Sequence, residues 1–127
     1  MFNKNDISNV TKKLLKIDTK KKIKFIFLFG SYARNKANLL SDLDIAIYYD
    51  GNNKERFHFR LKALNQLIDS VDVQMFQDLP LLLQHEVLEG TILFVRDEPL
   101  LYNEALRIIK EFNYFERVFD ISIGAQT

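Results

Sequence analysis

The chain has 127 residues, of which 47% are hydrophobic and 28% are charged, and this is enough for one ordinary domain with its own apolar core. It contains no cysteine, which excludes disulfide bonds and thiolate metal sites. The formal net charge is +1, the first ten residues are polar and lack the apolar segment typical of a secretory signal, and no apolar run approaches the ~18 residues of a membrane span. We therefore expect a soluble, cytoplasmic protein without a membrane partner.

Hydrophobic periodicity predicts nine elements that alternate between helix and strand. In chain order they are a helix at 6–17, a strand at 23–29, a short helix at 32–37, a strand at 43–49, a helix at 54–68, a strand at 71–76, a helix at 79–89, a strand at 91–95 and a helix from 99 to about 115. The helix at 54–68 is predicted to turn a set of apolar side chains inward. These are Phe57, Leu61, Leu64, Leu67 and Ile68. The order indicates an α/β domain with a small sheet.

Charge is unevenly distributed along the chain. Residues 1–24 carry eight lysines and two aspartates, a net charge of +6, whereas the remaining residues carry −5. Such a basic segment could attract nucleic acid, nucleotide phosphates or an acidic partner, or it could simply be a solvated helix face. Because most of these lysines fall on one short helix and its connector, with few aromatic residues between them, we expect at most weak, non-specific nucleic-acid binding.

Two aspartates, Asp42 and Asp44, stand at the start of an otherwise apolar predicted strand. Alternate strand residues share a face, so the two carboxylates would lie about 7 Å apart and repel each other. A divalent cation would remove this repulsion, and Mg²⁺ suits a site where phosphates supply further ligands. Asp72, in the next predicted strand, would join the pair if the two strands were neighbours. Three carboxylates around two Mg²⁺ ions suit in-line nucleotidyl transfer.

Gly30 and Ser31 follow the first predicted strand. Glycine lets the backbone approach a ligand closely, and the first N–H groups of a helix bind anions. Ser31 adds a hydroxyl that can contact a phosphate oxygen. A Gly-Ser pair or an Asp-x-Asp pair is uninformative alone, but a strand, Gly-Ser, ten residues, Asp-x-Asp, a strand and a later strand aspartate form a specific combination.

The segment GSYARNKANLLSDLDIAIYY resembles the G-S-x10-D-x-D signature of the DNA polymerase β-like nucleotidyltransferase superfamily. The short chain and the wording GSYAR…SDLDIAI resemble its minimal branch, the MNT proteins that are often paired with HEPN toxins. The resemblance is strongest over residues 23–76. It implies a single nucleotidyltransferase domain over 1–127, with a basic N-terminal helix, a catalytic core at about 23–95, a small mixed sheet of about four strands flanked by helices, and a C-terminal helix with an apolar tail.

The resemblance also implies roles for individual residues. Gly30 and Ser31 match the turn that holds phosphates, and Asp42 and Asp44 match the metal-binding pair. Asp72 matches the third acidic position, where it would bind metal and help deprotonate the acceptor; nearby Asp69 is the alternative, at the end of a predicted helix. Arg34 would offset charge on the leaving group, or it is a surface arginine without a role. Asn35 stands where glycine is common.

The function implied is transfer of AMP from ATP, an NTP substrate, with two Mg²⁺ ions as cofactors. The acceptor would be a hydroxyl, a tyrosine of a HEPN ribonuclease toxin, in a hetero-oligomer with this chain as antitoxin. The alternative is an antitoxin that neutralises its partner by binding alone. The C-terminal apolar stripe bears on this alternative, because it would be either core or interface. Its members are Ile108, Ile109, Phe112, Phe115, Val118 and Phe119.

Overall fold

The computed structural model describes residues 1–124, and it describes side chains through Phe119. Helices and strands alternate along this part of the chain in the predicted order. They are α1 (Lys4–Ile17), β1 (Ile23–Phe29), α2 (Gly30–Ala33), β2 (Leu43–Tyr49), α3 (Asn53–Gln66), β3 (Val71–Met75), α4 (Leu81–Leu88), β4 (Thr91–Val95) and α5 (Glu98–Gly124), with a 3-10 turn at Phe76–Asp78. None of these helices is both long and apolar enough to cross a membrane.

The four strands form one mixed sheet in the order β3-β2-β1-β4. β1 runs antiparallel to β2 and β4, whereas β2 and β3 are parallel. In this register Phe29, the last residue of β1, lies opposite Asp44, and Asp44 lies beside Asp72. The end of β1 and the starts of β2 and β3 therefore meet at one edge of the sheet. The predicted α/β fold with a four-stranded mixed sheet is confirmed.

β1 is apolar on both faces because both faces of the sheet are covered. Ile26 and Leu28 belong to a core that α1 and α3 cover. Phe25, Phe27 and Phe29 belong to a second core, on the side of α4 and α5. A strand buried on both sides reads as a continuous apolar run instead of an alternating one. This explains why the sequence IKFIFLF predicts the bounds of β1 correctly.

The predicted inward face of α3 is wrong in part. Phe57, Leu61 and Ile68 are 55%, 48% and 62% exposed, and the buried residues of the helix are Phe59 and Ala63. Phe59 stacks on Tyr49 of β2 with ring centroids 4.6 Å apart. The helix carries apolar residues on more than one side, so periodicity alone did not identify the side that packs on the sheet.

Two further helix predictions need correction. α2 begins at Gly30, directly after β1, and ends at Ala33, so it is shorter and earlier than the predicted 32–37 helix. α5 extends well past residue 115, and most of its predicted apolar stripe is not core. Ile108 is fully buried, but Ile109, Phe115 and Phe119 are 46%, 44% and 53% exposed.

Candidate active site

The Gly-Ser turn lies directly against the carboxylate of Asp44. Gly30 has φ +73°, in the left-handed region that favours glycine. A Cβ at this position would clash with Asp44 Oδ2 and would lie 3.1 Å from Asp44 Cγ. Glycine is therefore required twice here, once by its own backbone and once by the close approach of the neighbouring side chain.

Asp72 occupies the position next to Asp44 on the parallel strand β3. Gln74 Nε2 donates a hydrogen bond of 3.0 Å to Asp72 Oδ2, and Arg60 Nη2 lies 3.8 Å from Asp72 Oδ1. Arg60 is itself fixed by a 2.6 Å hydrogen bond from its Nε to the carbonyl of Val73. Both partners hold the Asp72 carboxylate and restrict its orientation. Asp69, in contrast, lies exposed in the turn before β3.

Asp42 precedes β2, which begins at Leu43, so the alternation rule that placed it on the face of Asp44 does not apply to it. Its side chain is exposed, but it is close enough to Asp44 to affect the pKa of that residue. The loop before it is shaped by Asn38, whose Oδ1 accepts a 2.8 Å hydrogen bond from the N–H of Leu40. Asp42 therefore stands at the rim of the site.

A cavity of about 430 Å³ lies at this edge of the sheet. Its polar lining comes from α2, β2, β3 and α4. The polar residues are Ser31, Arg34, Asp44, Asp72, Gln74 and Glu86. Arg34 Nη1 donates a 2.5 Å hydrogen bond to Glu86 Oε1 across the cavity. The structure thus brings Gly30, Ser31, Arg34, Asp44 and Asp72 to one cavity, with Asp42 outside its lining.

Sequence reasoning missed Gln74 and Glu86. Gln74 lies two residues after Asp72 on the same strand, so strand alternation places both on one face and could have identified it. Glu86 lies on α4 with no recognisable motif around it, and only the packing of α4 beside the sheet brings it to the cavity. No local sequence signal could have found it.

Asp44 is surrounded by other carboxylates. Its pKa is raised from 3.8 to about 6, first because burial disfavours the charged carboxylate and then because Asp72, Asp42 and Glu86 repel it. Arg34 acts in the opposite direction. A bound cation would relieve this repulsion by interacting with the ionised carboxylates.

The donor set fits Mg²⁺ in its chemistry, because this ion prefers hard carboxylate oxygens and completes its shell with water or phosphate. The carboxylates are not yet gathered around a common point, however. Within residues 1–119, no three acidic or histidine side chains are grouped closely enough to hold a metal ion. Asp72 is turned toward Gln74 and Arg60 instead.

The turn after β1 departs from expectation in two ways. α2 has only four residues, so its backbone N–H groups, and not a helix dipole, would meet an anion. Asn35 has φ +56°, in the left-handed region where asparagine is tolerated better than most residues. This backbone conformation explains why asparagine can stand at a position where glycine is common.

Comparison with known proteins decides the family. Residues 11–99 match the family model described as polymerase beta, nucleotidyltransferase, which is well over half of the chain. The chain belongs to this nucleotidyltransferase family. The resemblance drawn from the G-S-x10-D-x-D segment is thereby confirmed, and the matched range contains the Gly-Ser turn and all three aspartates.

Two curated relatives come from Methanocaldococcus jannaschii, and both carry the name "Putative protein adenylyltransferase". One is 26% identical over 94 residues, which are 74% of this chain and 67% of the relative. The other is 45% identical over 56 residues, which are 44% of this chain and 54% of the relative. The second match thus spans about half of that relative's length.

Solved structures with the same fold come from toxin-antitoxin complexes. A chain from such a complex with AMP-PNP has a TM-score of 0.71 at 24% identity, over 92% of this chain and 95% of that one. A chain from a complex of a tri-AMPylated Shewanella oneidensis HEPN toxin with an MNT antitoxin has a TM-score of 0.65 at 23% identity, over 92% of both chains. These likenesses support the fold.

Proposed function

We propose that this nucleotidyltransferase moves AMP from ATP to a hydroxyl group of a partner protein. The observation that carries the proposal is the contact of Gly30 with Asp44 and the position of Asp72 beside Asp44. A close-packed backbone turn and a pair of carboxylates on neighbouring strands lie at one cavity, where they would hold a triphosphate and its counterions. The names of the two M. jannaschii relatives support adenylyl transfer to protein.

The triphosphate would be held by the turn after β1. Backbone N–H groups at Gly30 and Ser31 and the Ser31 hydroxyl offer neutral hydrogen-bond donors to phosphate oxygens. Arg34 offers a positive charge on the same wall of the cavity, where it now pairs with Glu86. Because a phosphate carries more charge than one carboxylate, the guanidinium would exchange Glu86 for the nucleotide and stabilise the departing pyrophosphate.

Asp42, Asp44 and Asp72 would hold the Mg²⁺ that accompanies the nucleotide, and two ions are proposed. Bound there, the metal would neutralise charge on the triphosphate and on the three carboxylates. The raised pKa of Asp44 fits this assignment, because burial and then repulsion by Asp72 and Asp42 disfavour its charge, and a bound cation would offset both effects.

The transfer itself needs a base and a leaving group. The acceptor oxygen would form a bond to the α-phosphorus of ATP while the bond from that phosphorus to pyrophosphate breaks. The proton of the acceptor hydroxyl would pass to Asp72, which Gln74 and Arg60 hold in place. Pyrophosphate leaves on the side of Ser31 and Arg34.

The proposed acceptor is a tyrosine of a HEPN-type toxin, with which this chain would form a hetero-oligomer as antitoxin. The tri-AMPylated HEPN toxin in a complex with the same fold supports this choice. The exposed stripe of α5 supports a protein partner, since Ile109, Phe115 and Phe119 are 46%, 44% and 53% exposed.

That stripe also supports the second candidate function, neutralisation by binding alone. A double substitution, Phe115→Ser with Phe119→Ser, separates the two. Both side chains are exposed, so stability should change by no more than about 0.5 kcal/mol. If occlusion suffices, these substitutions release the toxin, whereas Asp44→Asn leaves it neutralised.

Label transfer from [α-³²P]ATP tests the enzymatic proposal. The chain is incubated with Mg²⁺ and the product of the neighbouring gene, and incorporated label is measured for the natural sequence and for Asp44→Asn, Asp72→Asn and Asp69→Asn. Asp69→Asn is the matched control, because it removes the same charge from an exposed turn outside the cavity. We expect label only with the natural sequence and the control. Equal transfer by all four proteins would overturn the assigned site.

A further inference from the structure

A second charged site lies at the opposite end of β1 and β2. Two adjoining cavities of about 320 Å³ and 330 Å³ run between α1 and α3 and share Ile17, Thr19 and Lys62 in their lining. We call the combined feature the lysine groove. At this end Ile23 pairs with Tyr49, six strand positions from the pair of Phe29 and Asp44. The groove is therefore about 20 Å from the candidate active site, by the ~3.3 Å rise per strand residue.

Five exposed lysines from two helices and a connector line the groove. They are Lys13, Lys16, Lys20, Lys54 and Lys62. Lys54, His58 and Lys62 follow one another at four-residue spacing on α3, so they lie along one side of the helix over about 12 Å. The sequence predicted basic charge on residues 1–24, a helix and its connector, and the structure places the α3 lysines beside it.

The acidic residues of the groove do not offset this charge. The carboxylate of Asp18 is buried and accepts hydrogen bonds from the backbone N–H groups of Lys22 and Ile23 at 2.9 and 2.8 Å, with Arg96 at 3.3 Å. Glu55 pairs with Lys22 at 2.9 Å. In the part of the chain with described side chains, none of the five groove lysines forms an ion pair. The groove therefore carries an excess of positive charge, because its two carboxylates are already paired with Arg96 and Lys22.

We propose that the lysine groove binds the phosphodiester backbone of a nucleic acid. Its elongated form suits an extended polyanion better than a compact one. Lysine is depleted in protein–protein interfaces, and carboxylates are best matched by the arginine fork, which the groove lining lacks. Tyr49 and Phe59 are buried in the floor, so neither ring is available for base stacking. Binding is therefore through phosphates, independent of sequence, and steeply salt-dependent.

Fluorescence anisotropy tests this proposal. The full chain is titrated into labelled 20-nucleotide single strands of RNA and of DNA, and the binding constant is measured at a series of KCl concentrations. Each lysine–phosphate contact on a single strand contributes about −0.7 to the slope of log K against log salt, so five contacts predict a slope of about −3.5. The triple substitution Lys16→Gln, Lys54→Gln and Lys62→Gln should make this slope shallower by about 2. Comparison of the RNA and DNA titrations shows which of the two nucleic acids the groove binds more tightly.

The matched control is Lys4→Gln, Lys36→Gln and Lys110→Gln, three lysines outside the groove lining. It changes the net charge by the same amount, so an effect of overall charge would be equal in both triples. The proposal is supported if the control variant keeps the slope of the natural sequence and the groove variant has the shallower slope. Equal slopes in the two variants, an absence of salt-dependent binding to either nucleic acid, or equal competition by polyglutamate would overturn it. The outcome does not depend on nucleotidyl transfer.

Discussion

Replacing Asp44 by asparagine should stabilise the metal-free protein at neutral and alkaline pH. The carboxyl has a pKa of about 6 in the fold, against 3.8 ordinarily. The folded state therefore holds this proton more tightly than the unfolded state, and the ionised carboxylate costs folding free energy above pH 6. As pH falls through the window from 6 to 3.8 the cost disappears, because the native carboxyl is then neutral.

The size of the effect follows from that difference in pKa. The difference between a pKa of 3.8 and one of about 6 corresponds to at most about 3 kcal/mol. Asp44 is only partly buried, so solvent screening reduces this to roughly 1 to 2 kcal/mol. With a urea m-value of about 2 kcal/mol/M, the midpoint of unfolding should rise by roughly 0.5 to 1 M.

Urea unfolding followed by circular dichroism, in EDTA at pH 8 and at pH 4, measures this difference. We expect Asp44→Asn to be more stable than the natural sequence at pH 8 and equal to it near pH 4. Asp69→Asn serves as the control, because that exposed carboxylate should show no such dependence. A destabilised Asp44→Asn at pH 8, or a difference that stays constant with pH, would refute the account of crowded carboxylates.

Substitutions at three other positions test the turn and the positioning of Asp72. Gly30→Ala should lower the free energy of unfolding by about 2 kcal/mol and abolish transfer, because its Cβ meets the carboxylate of Asp44; a stable, active variant would contradict the close contact. Asn35→Gly should leave thermal stability nearly unchanged and Asn35→Ala should lower the free energy of unfolding by about 1 kcal/mol, since φ is +56°; equal stability of the two would contradict this backbone assignment. Gln74→Leu should lower kcat for transfer more than it changes the affinity for ATP measured by calorimetry, because Gln74 contacts Asp72; loss of ATP affinity alone would contradict a positioning role.

The sheet could be predicted from the sequence because its strands carry clear local signals. The bounds of β1, β2 and β4 coincide with the predicted ranges, since each is an apolar segment ended by glycine, aspartate or arginine. The contact of the Gly-Ser turn with Asp44 follows from the antiparallel pairing of β1 and β2, which a short connection between consecutive strands favours.

What the sequence did not provide depends on packing between distant elements. Glu86 reaches the cavity only because α4 packs beside the sheet, and the lysine groove exists only because α3 lies beside α1. The buried side of α3 is set by the stacking of Phe59 on Tyr49, not by the strongest apolar stripe. The packing of α5 likewise decides which of its apolar residues are exposed. Ile108 is buried against the rest of the chain, whereas Phe115 and Phe119, further along the helix, are 44% and 53% exposed.

A crystal structure of the chain with Mg²⁺ and a non-hydrolysable ATP analogue tests the central claim most directly. We predict that the triphosphate lies on the backbone of Gly30 and Ser31, with Mg²⁺ between it and Asp44 and with Arg34 released from Glu86. A triphosphate bound in the lysine groove, or at the Gly-Ser turn without metal on Asp44, would contradict the account.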